Sequence, residues 1–239
     1  MITLALDAAT DHLTVAVGRA GGGEWEAHLP GARRHARDLV PVIDRLLAGA
    51  GCTPAGIGQI VLADGPGSFT GLRVATAVAK ALVRAGGVTL RVTPSLLGRA
   101  WRASGGSPGL VLACAPALRG EVYAGWYRIT AAGTVVVERA ASALRPEALR
   151  AGGPPDLIAG DAPEALLDAL GRAWAVPVHT REAARPDARA LLHLASVPGG
   201  TTVVEAAEAW EPVYGRPAEA QARWEQTHGR PLPDPVRAG

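Results

Sequence analysis

The 239-residue chain is 48% hydrophobic and 19% charged, which fits one large folded domain or two modest lobes and argues against a disordered chain. Its net charge is only +2, so no global field draws it to nucleic acid or membrane. Lys80 is the single lysine, the other basic residues being arginine. Cys52 and Cys114 form no Cys-x-x-Cys pair. Met1 leads straight into an apolar run without a basic segment, and no apolar run is long enough to span a bilayer. The expectation is a cytoplasmic protein with reduced, buried thiols and no membrane association.

Residues 2–6 are strand formers, and Leu13, Val15 and Val17 alternate with smaller residues. Residues 24–29 alternate as well, after Gly21-Gly22-Gly23, so the chain opens as an antiparallel meander. The period then changes. Leu39, Val42, Ile43, Leu46, Leu47 and Ala50 mark one face of an amphipathic helix, with Pro41 placing its regular start, or a kink, near Val40. Residues 59–63 read as a buried strand, 64–71 as a glycine-rich loop, and 72–85 as a second helix with Val74, Val78, Ala81 and Leu82 on one face. A strand over 88–92 and a helix over 94–103 complete an alternating α/β pattern. Ser104 to Gly109 is the expected lobe boundary. Beyond it come a strand at 110–115, a hairpin from 121–129 and 134–140, and shorter elements at 157–159, 163–173, 176–179 and 188–196. The organisation predicted is an N-terminal lobe 1–104, a C-terminal lobe 105–214 and a proline-containing tail 215–239, extended or mobile, with Trp224 as a tether.

Gly65-Pro66-Gly67-Ser68-Phe69-Thr70-Gly71 lies between a strand and a helix. Free amides at a helix start form an anion nest, and Ser68 or Thr70 can cap the helix. The loop is neither a Walker loop nor a dinucleotide fingerprint, and Asp64 beside it repels phosphate. A phosphate site and a purely structural turn are equally good readings of it. Asp7 ends the first strand ahead of Thr10, where a carboxylate holds either a metal–phosphate group or its own turn amides. None of His12, His28, His35, His179, His193 and His228 pairs at metal-ligand spacing, and no Gly-x-Ser-x-Gly elbow is present. No catalytic residue and no metal ligand is therefore expected from local signals. Arg33, Arg34 and Arg37 around His35 form either a solvated basic patch or a contact for RNA or an acidic partner.

Several segments, in order, resemble the TsaB family, the non-catalytic relatives of TsaD in the actin-like ATPase superfamily. Leu4-Ala5-Leu6-Asp7-Ala8-Ala9-Thr10 looks like the first-strand phosphate motif of that superfamily. The run from Arg34 to Ile43 is similar to the first helix of the TsaB/TsaD group, and the run from Gly65 through Leu72-Arg73 resembles the TsaB hallmark. Arg119-Gly120-Glu121-Val122-Tyr123 and Glu211-Pro212-Val213-Tyr214 match further TsaB-like segments. Where TsaD carries a metal-binding His-x-x-x-His pair, this chain has Ser95 and Arg99, which cannot hold a metal as two imidazoles do. Pro116-Ala117-Leu118 replaces the Asp-Ala-Arg run common in the family.

The resemblance implies a two-lobed α/β protein with ribonuclease-H-like halves, mixed sheets and flanking helices. It implies an accessory subunit, not an enzyme, acting in threonylcarbamoyladenosine formation on tRNA by binding and activating a TsaD-type transferase, with a TsaE-type ATPase joining the pair. It further implies homodimers when the chain is alone, tRNA contact only through the complex, and no cofactor of its own, leaving open a nucleotide at the partner interface. A vestigial nucleotide site falls on Asp7, Thr10, Gly65 and Gly67. Partner-binding residues are expected on the first two helices: Leu39, Val42, Ile43 and Leu46, with Leu72, Ala75, Val78 and Ala79. The alternative is an autonomous actin-like ATPase or metallopeptidase-like enzyme.

Overall fold

The computed structural model describes residues 1–31, 35–117, 119–215 and 227–229. Three strands open the chain, β1 (Ile2–Asp7), β2 (His12–Arg19) and β3 (Glu24–Pro30), paired antiparallel as the alternation requires. Helix α1 (His35–Gly49), strand β4 (Ile57–Ala63), helix α2 (Phe69–Ala85), strand β5 (Thr89–Thr93) and helix α3 (Ser95–Ser104) follow. The pattern then repeats. Strands β6 (Gly109–Pro116), β7 (Val122–Ile129) and β8 (Val135–Leu144) form a second antiparallel meander. Helix α4 (Pro146–Leu149), strand β9 (Leu157–Gly160), helix α5 (Glu164–Trp174), strand β10 (Val178–His179) and helix α6 (Ala188–Leu194) complete the second unit. Strand β11 (Thr202–Val203) follows α6.

The first sheet has the order β11-β5-β4-β1-β2-β3 and the second β10-β9-β6-β7-β8. In each, the opening strand pairs antiparallel with its meander on one side and parallel with a later strand on the other, β1 with β4 and β6 with β9. The chain is thus a duplicated βββαβαβα unit, the ribonuclease-H-like plan of the actin-like fold.

Strand alternation sorts side chains between layers. Leu4, Leu6, Leu13, Val15 and Val17 point to one face of the first sheet and form a core with Leu39, Val42, Ile43 and Leu47 of α1 and Ala75 and Ala79 of α2. Ala5, Ala16, Val61 and Ala63 point to the other face, where α3 and α6 lie between the sheets. These small residues allow α6 to pack closely on β1 and β2. Across that layer the same core continues to Val111, Ala113, Tyr127 and Ala159 of the second sheet. A third core joins the far face of the second sheet to Leu149, Leu167 and Leu170.

The chain leaves α3 at Ser104 and enters β6 of the second sheet at Gly109. Space does not follow the sequence strictly, since α6 and β11 return to the first sheet. Two helix starts also differ from the sequence reading. Helix α2 begins at Phe69, one turn early, because Ser68 caps it through its hydroxyl, which accepts from Gly71 N–H at 3.3 Å. Helix α1 continues N-terminally through Pro41, which it carries in its interior. Of the arginine patch, Arg33 and Arg34 lie outside the described residues, as do Leu118 and all of the expected tail except residues 215 and 227–229.

Candidate functional site in the cleft between the sheets

A cavity of about 450 Å³ opens between the two sheets. One wall is the β1–β2 turn, Ala9 to His12, together with Pro66, Gly67 and Ser68 of the glycine loop. The facing wall is Ala115, Pro116, Ala117, Tyr123 and Asp161 from the second sheet. Among the described residues the lining carries two carboxylates, Asp11 and Asp161, and no lysine or arginine.

Asp7 ends β1 behind this turn and is 1% exposed. Its Oδ1 accepts from Ala9 N–H at 2.9 Å, closing a local turn. Burial raises the Asp7 pKa; the Ala9 bond and the Arg99 charge pull it back, and Asp161 raises it further. The Thr10 hydroxyl is engaged in its own turn, accepting from His12 N–H at 3.1 Å and donating to the His12 carbonyl at 3.2 Å.

The glycine loop is held by the chain's own groups. Gly65 N–H donates to Ser95 Oγ at 3.0 Å, and Ser68 N–H donates to the Ala9 carbonyl at 2.7 Å. The glycines are required by close backbone approach. A Cβ on Gly67 would lie 2.1 Å from the Ala9 carbonyl oxygen, and one on Gly71 2.0 Å from that of Ala8. Gly65, at φ +112, faces the Val213 carbonyl in the same way. The structure therefore places Asp7, Thr10, Gly65 and Gly67 around one cleft, while engaging the Asp7 carboxylate, the Thr10 hydroxyl and the Gly65 amide within the protein.

Ser95 and Arg99 have structural partners. Ser95 fixes the loop at Gly65, its own N–H donating to the Gly65 carbonyl at 2.8 Å. Arg99, 1% exposed, is a fully buried large side chain and forms an ion pair with Asp161, itself 38% exposed at the cleft wall. Asp161 was not singled out in the sequence. The signal was available, because Gly160-Asp161 closes an apolar strand with a carboxylate just as Leu6-Asp7 does. Cys114 is buried beneath the site and its thiol is pushed up to about 12, chiefly by desolvation, so it is no nucleophile at neutral pH.

The partner-binding residues expected on the helices require correction. Leu39, Val42, Ile43, Leu46, Leu72, Ala75 and Ala79 are all buried in the protein's own core, and Val78 is half-buried against it. Their periodic stripe covers the first sheet, and one helix face cannot serve two layers. The outward faces carry other residues: Val40, Pro41, Asp44 and Ala48 on α1, with Thr70, Arg73, Ala77 and Ala81 on α2. Val40 is 49% exposed.

Fold and cleft define a protein of the actin-like class, two ribonuclease-H-like halves facing one another across an inter-sheet site. Residues 30–151, half of the chain, match the family described as TsaD: tRNA N6-adenosine threonylcarbamoyltransferase. The chain belongs to this family. It is 30% identical over 151 residues to the tRNA threonylcarbamoyladenosine biosynthesis protein TsaB of Escherichia coli, covering 62% of this chain and 64% of that one. TsaB of Bacillus subtilis matches at 30% over 131 residues, 54% of this chain and 56% of its own. The matched segment thus spans less than two thirds of either relative. Among solved structures, YeaZ from Pseudomonas aeruginosa superimposes with a TM-score of 0.70 at 29% identity, covering 89% of this chain and 99% of its own.

Proposed function

We propose that the chain acts in tRNA threonylcarbamoyladenosine biosynthesis as a non-catalytic subunit that docks on a TsaD-type transferase and holds it in its active conformation. The transferase moves the threonylcarbamoyl group from its adenylate to adenosine in tRNA. A TsaE-type ATPase joins the pair, and tRNA meets this chain only through the complex.

The observation that carries the accessory reading is the state of the cleft. Its glycine loop is bonded to Ala9 and Ser95, its lining among the described residues offers carboxylates without lysine or arginine, and the buried guanidinium of Arg99 is paired with Asp161. A glycine loop and a carboxylate engaged within the protein suit a scaffold better than a phosphoryl-transfer site, which needs free donors aimed at developing charge. Docking is assigned to the outward faces of α1 and α2. Their small and branched residues, Val40, Ala48, Ala77 and Ala81, permit close helix–helix packing against a matching pair.

Reconstitution tests this reading. Threonylcarbamoyl transfer by the TsaD-type subunit should depend on added chain, saturate at equimolar ratio, and persist when the chain carries Asp7→Asn. Full transfer without the chain, or loss of transfer on that substitution in a folded protein, would refute the accessory role.

A further inference from the structure

Residues 204–215 follow β11 along one flank of α2 and finish between the two sheets. Lys80 fastens this strap to the helix, its Nζ donating to the Glu208 carbonyl at 3.0 Å and to Glu211 Oε1 at 3.1 Å. Phe69, in the first turn of α2 and 40% exposed, stacks on Tyr214 with ring centroids 4.6 Å apart and planes at 40°. The Arg73 guanidinium lies 5.4 Å from the Phe69 ring centre. On its other side the strap meets the cleft. Val213 N–H donates to the Asp64 carbonyl at 2.7 Å, and Tyr123 OH donates to the Tyr214 carbonyl at 3.4 Å. Gly215 is packed so tightly that a Cβ would lie 2.7 Å from both Pro66 and Tyr123. Pro66 and Tyr123 are opposite walls of the cleft.

We infer that the strap couples the outward face of α2 to the cleft, with Tyr214 as the connecting residue; the inference rests on the docking reading above. A partner that covers Phe69 and Arg73 buries the exposed half of the Phe69–Tyr214 pair and favours one position of the strap. Because Tyr214 and Gly215 touch both walls, that position sets the spacing of Pro66 and Tyr123. Coupling of this kind is reciprocal, so whatever fills the cleft changes partner affinity by the same factor.

Hydrogen exchange of the full chain, with and without the TsaD-type partner, tests the coupling. In the unaltered chain the partner should slow exchange in α2 and, about fivefold or more, in the cleft segments 9–12 and 115–117. In Tyr214→Ala, α2 should remain protected while the cleft segments lose their response. Lys80→Met, which frees the strap without removing the ring stack, should weaken the cleft response in the same way and decides the matter where Tyr214→Ala is poorly folded. Protection of α2 without any cleft response in the unaltered chain would overturn the coupling and leave docking intact. An unchanged cleft response in the variants would overturn the strap as its route. Absence of protection on α1 and α2 altogether would remove the docking reading, and the coupling with it.

Discussion

Gly67 lies against the carbonyl of Ala9, so close that a side chain on it would put a carbon 2.1 Å from the oxygen. The neighbouring Ser68 amide bonds to that same oxygen at 2.7 Å. The glycine loop is thereby a clasp between β4–α2 and the β1–β2 turn. Gly67→Ala should force the two turns apart and destabilise the protein by about 1–3 kcal/mol, the usual cost of overpacking. Urea denaturation would read this as a lower midpoint with an unchanged slope. An unaltered midpoint would mean that the turns are free to separate.

Helices α1 and α2 separate a stability surface from a docking surface. Ile43, 3% exposed, lies in the core, so Ile43→Glu buries an unpaired carboxylate and should unfold the protein or cost more than about 3 kcal/mol. Ala77 faces outward, and Ala77→Glu should leave Tm within about 2 °C, since exposed substitutions are nearly neutral. Thermal melts of the two variants check both statements together. Equal melting would contradict the assignment of faces.

Asp64, at the end of β4, is pushed up to about 7 by desolvation, against an opposing backbone hydrogen bond of its own. In the unfolded chain it titrates near the ordinary 3.8. The folded state therefore binds the extra proton between these two values. The stability it contributes is full below pH 4 and is lost as pH rises through about 7. Asp64→Asn should leave Tm unchanged at low pH and raise it above pH 7, by about 2–4 °C for each kcal/mol recovered. A Tm difference that is flat between pH 5 and 8.5 would contradict the shift.

Arg99 and Asp161 form a pair in which one partner is 1% exposed and the other 38%. Removing Asp161 leaves the buried Arg99 charge without compensation, at about 3–5 kcal/mol, whereas removing Arg99 leaves a carboxylate that water reaches and costs less. Arg99→Met and Asp161→Asn should each destabilise, Arg99→Met combined with Asp161→Asn less than their sum. A double-mutant cycle by chemical denaturation gives the coupling, and additive effects would show that the pair does not act as one.

Much of this architecture was legible because it is periodic. The alternation of Leu13, Val15 and Val17 gave β2, and the spacing from Leu39 to Ala50 gave the buried face of α1. The same periodicity could not say what that face meets. An apolar stripe looks identical whether it covers the protein's own sheet or a partner, and the outer face of α2, built on Ala77 and Ala81, carries no pattern of its own. Strand β11 has only two residues, and the strap after it is held by Lys80, Glu211 and Tyr214, whose contacts reach across more than a hundred positions of sequence. Arg99 reads as an ordinary helical arginine until the fold brings Asp161 beside it. The glycine loop invited a phosphate reading because free amides and engaged ones are written with the same residues. Its tight approach to Ala8 and Ala9 appears only in three dimensions.

The most direct test of the central claim is size-exclusion chromatography with light scattering, mixing the chain with the TsaD-type protein of the same source, as the unaltered sequence and as Ala77→Glu. The account predicts a 1:1 complex that the folded Ala77→Glu variant does not form, and transferase activity that appears only with the complex. No complex with the unaltered chain, together with ATP hydrolysis by the chain alone that Asp7→Ala abolishes, would mean that the cleft is a working site and the accessory reading is wrong.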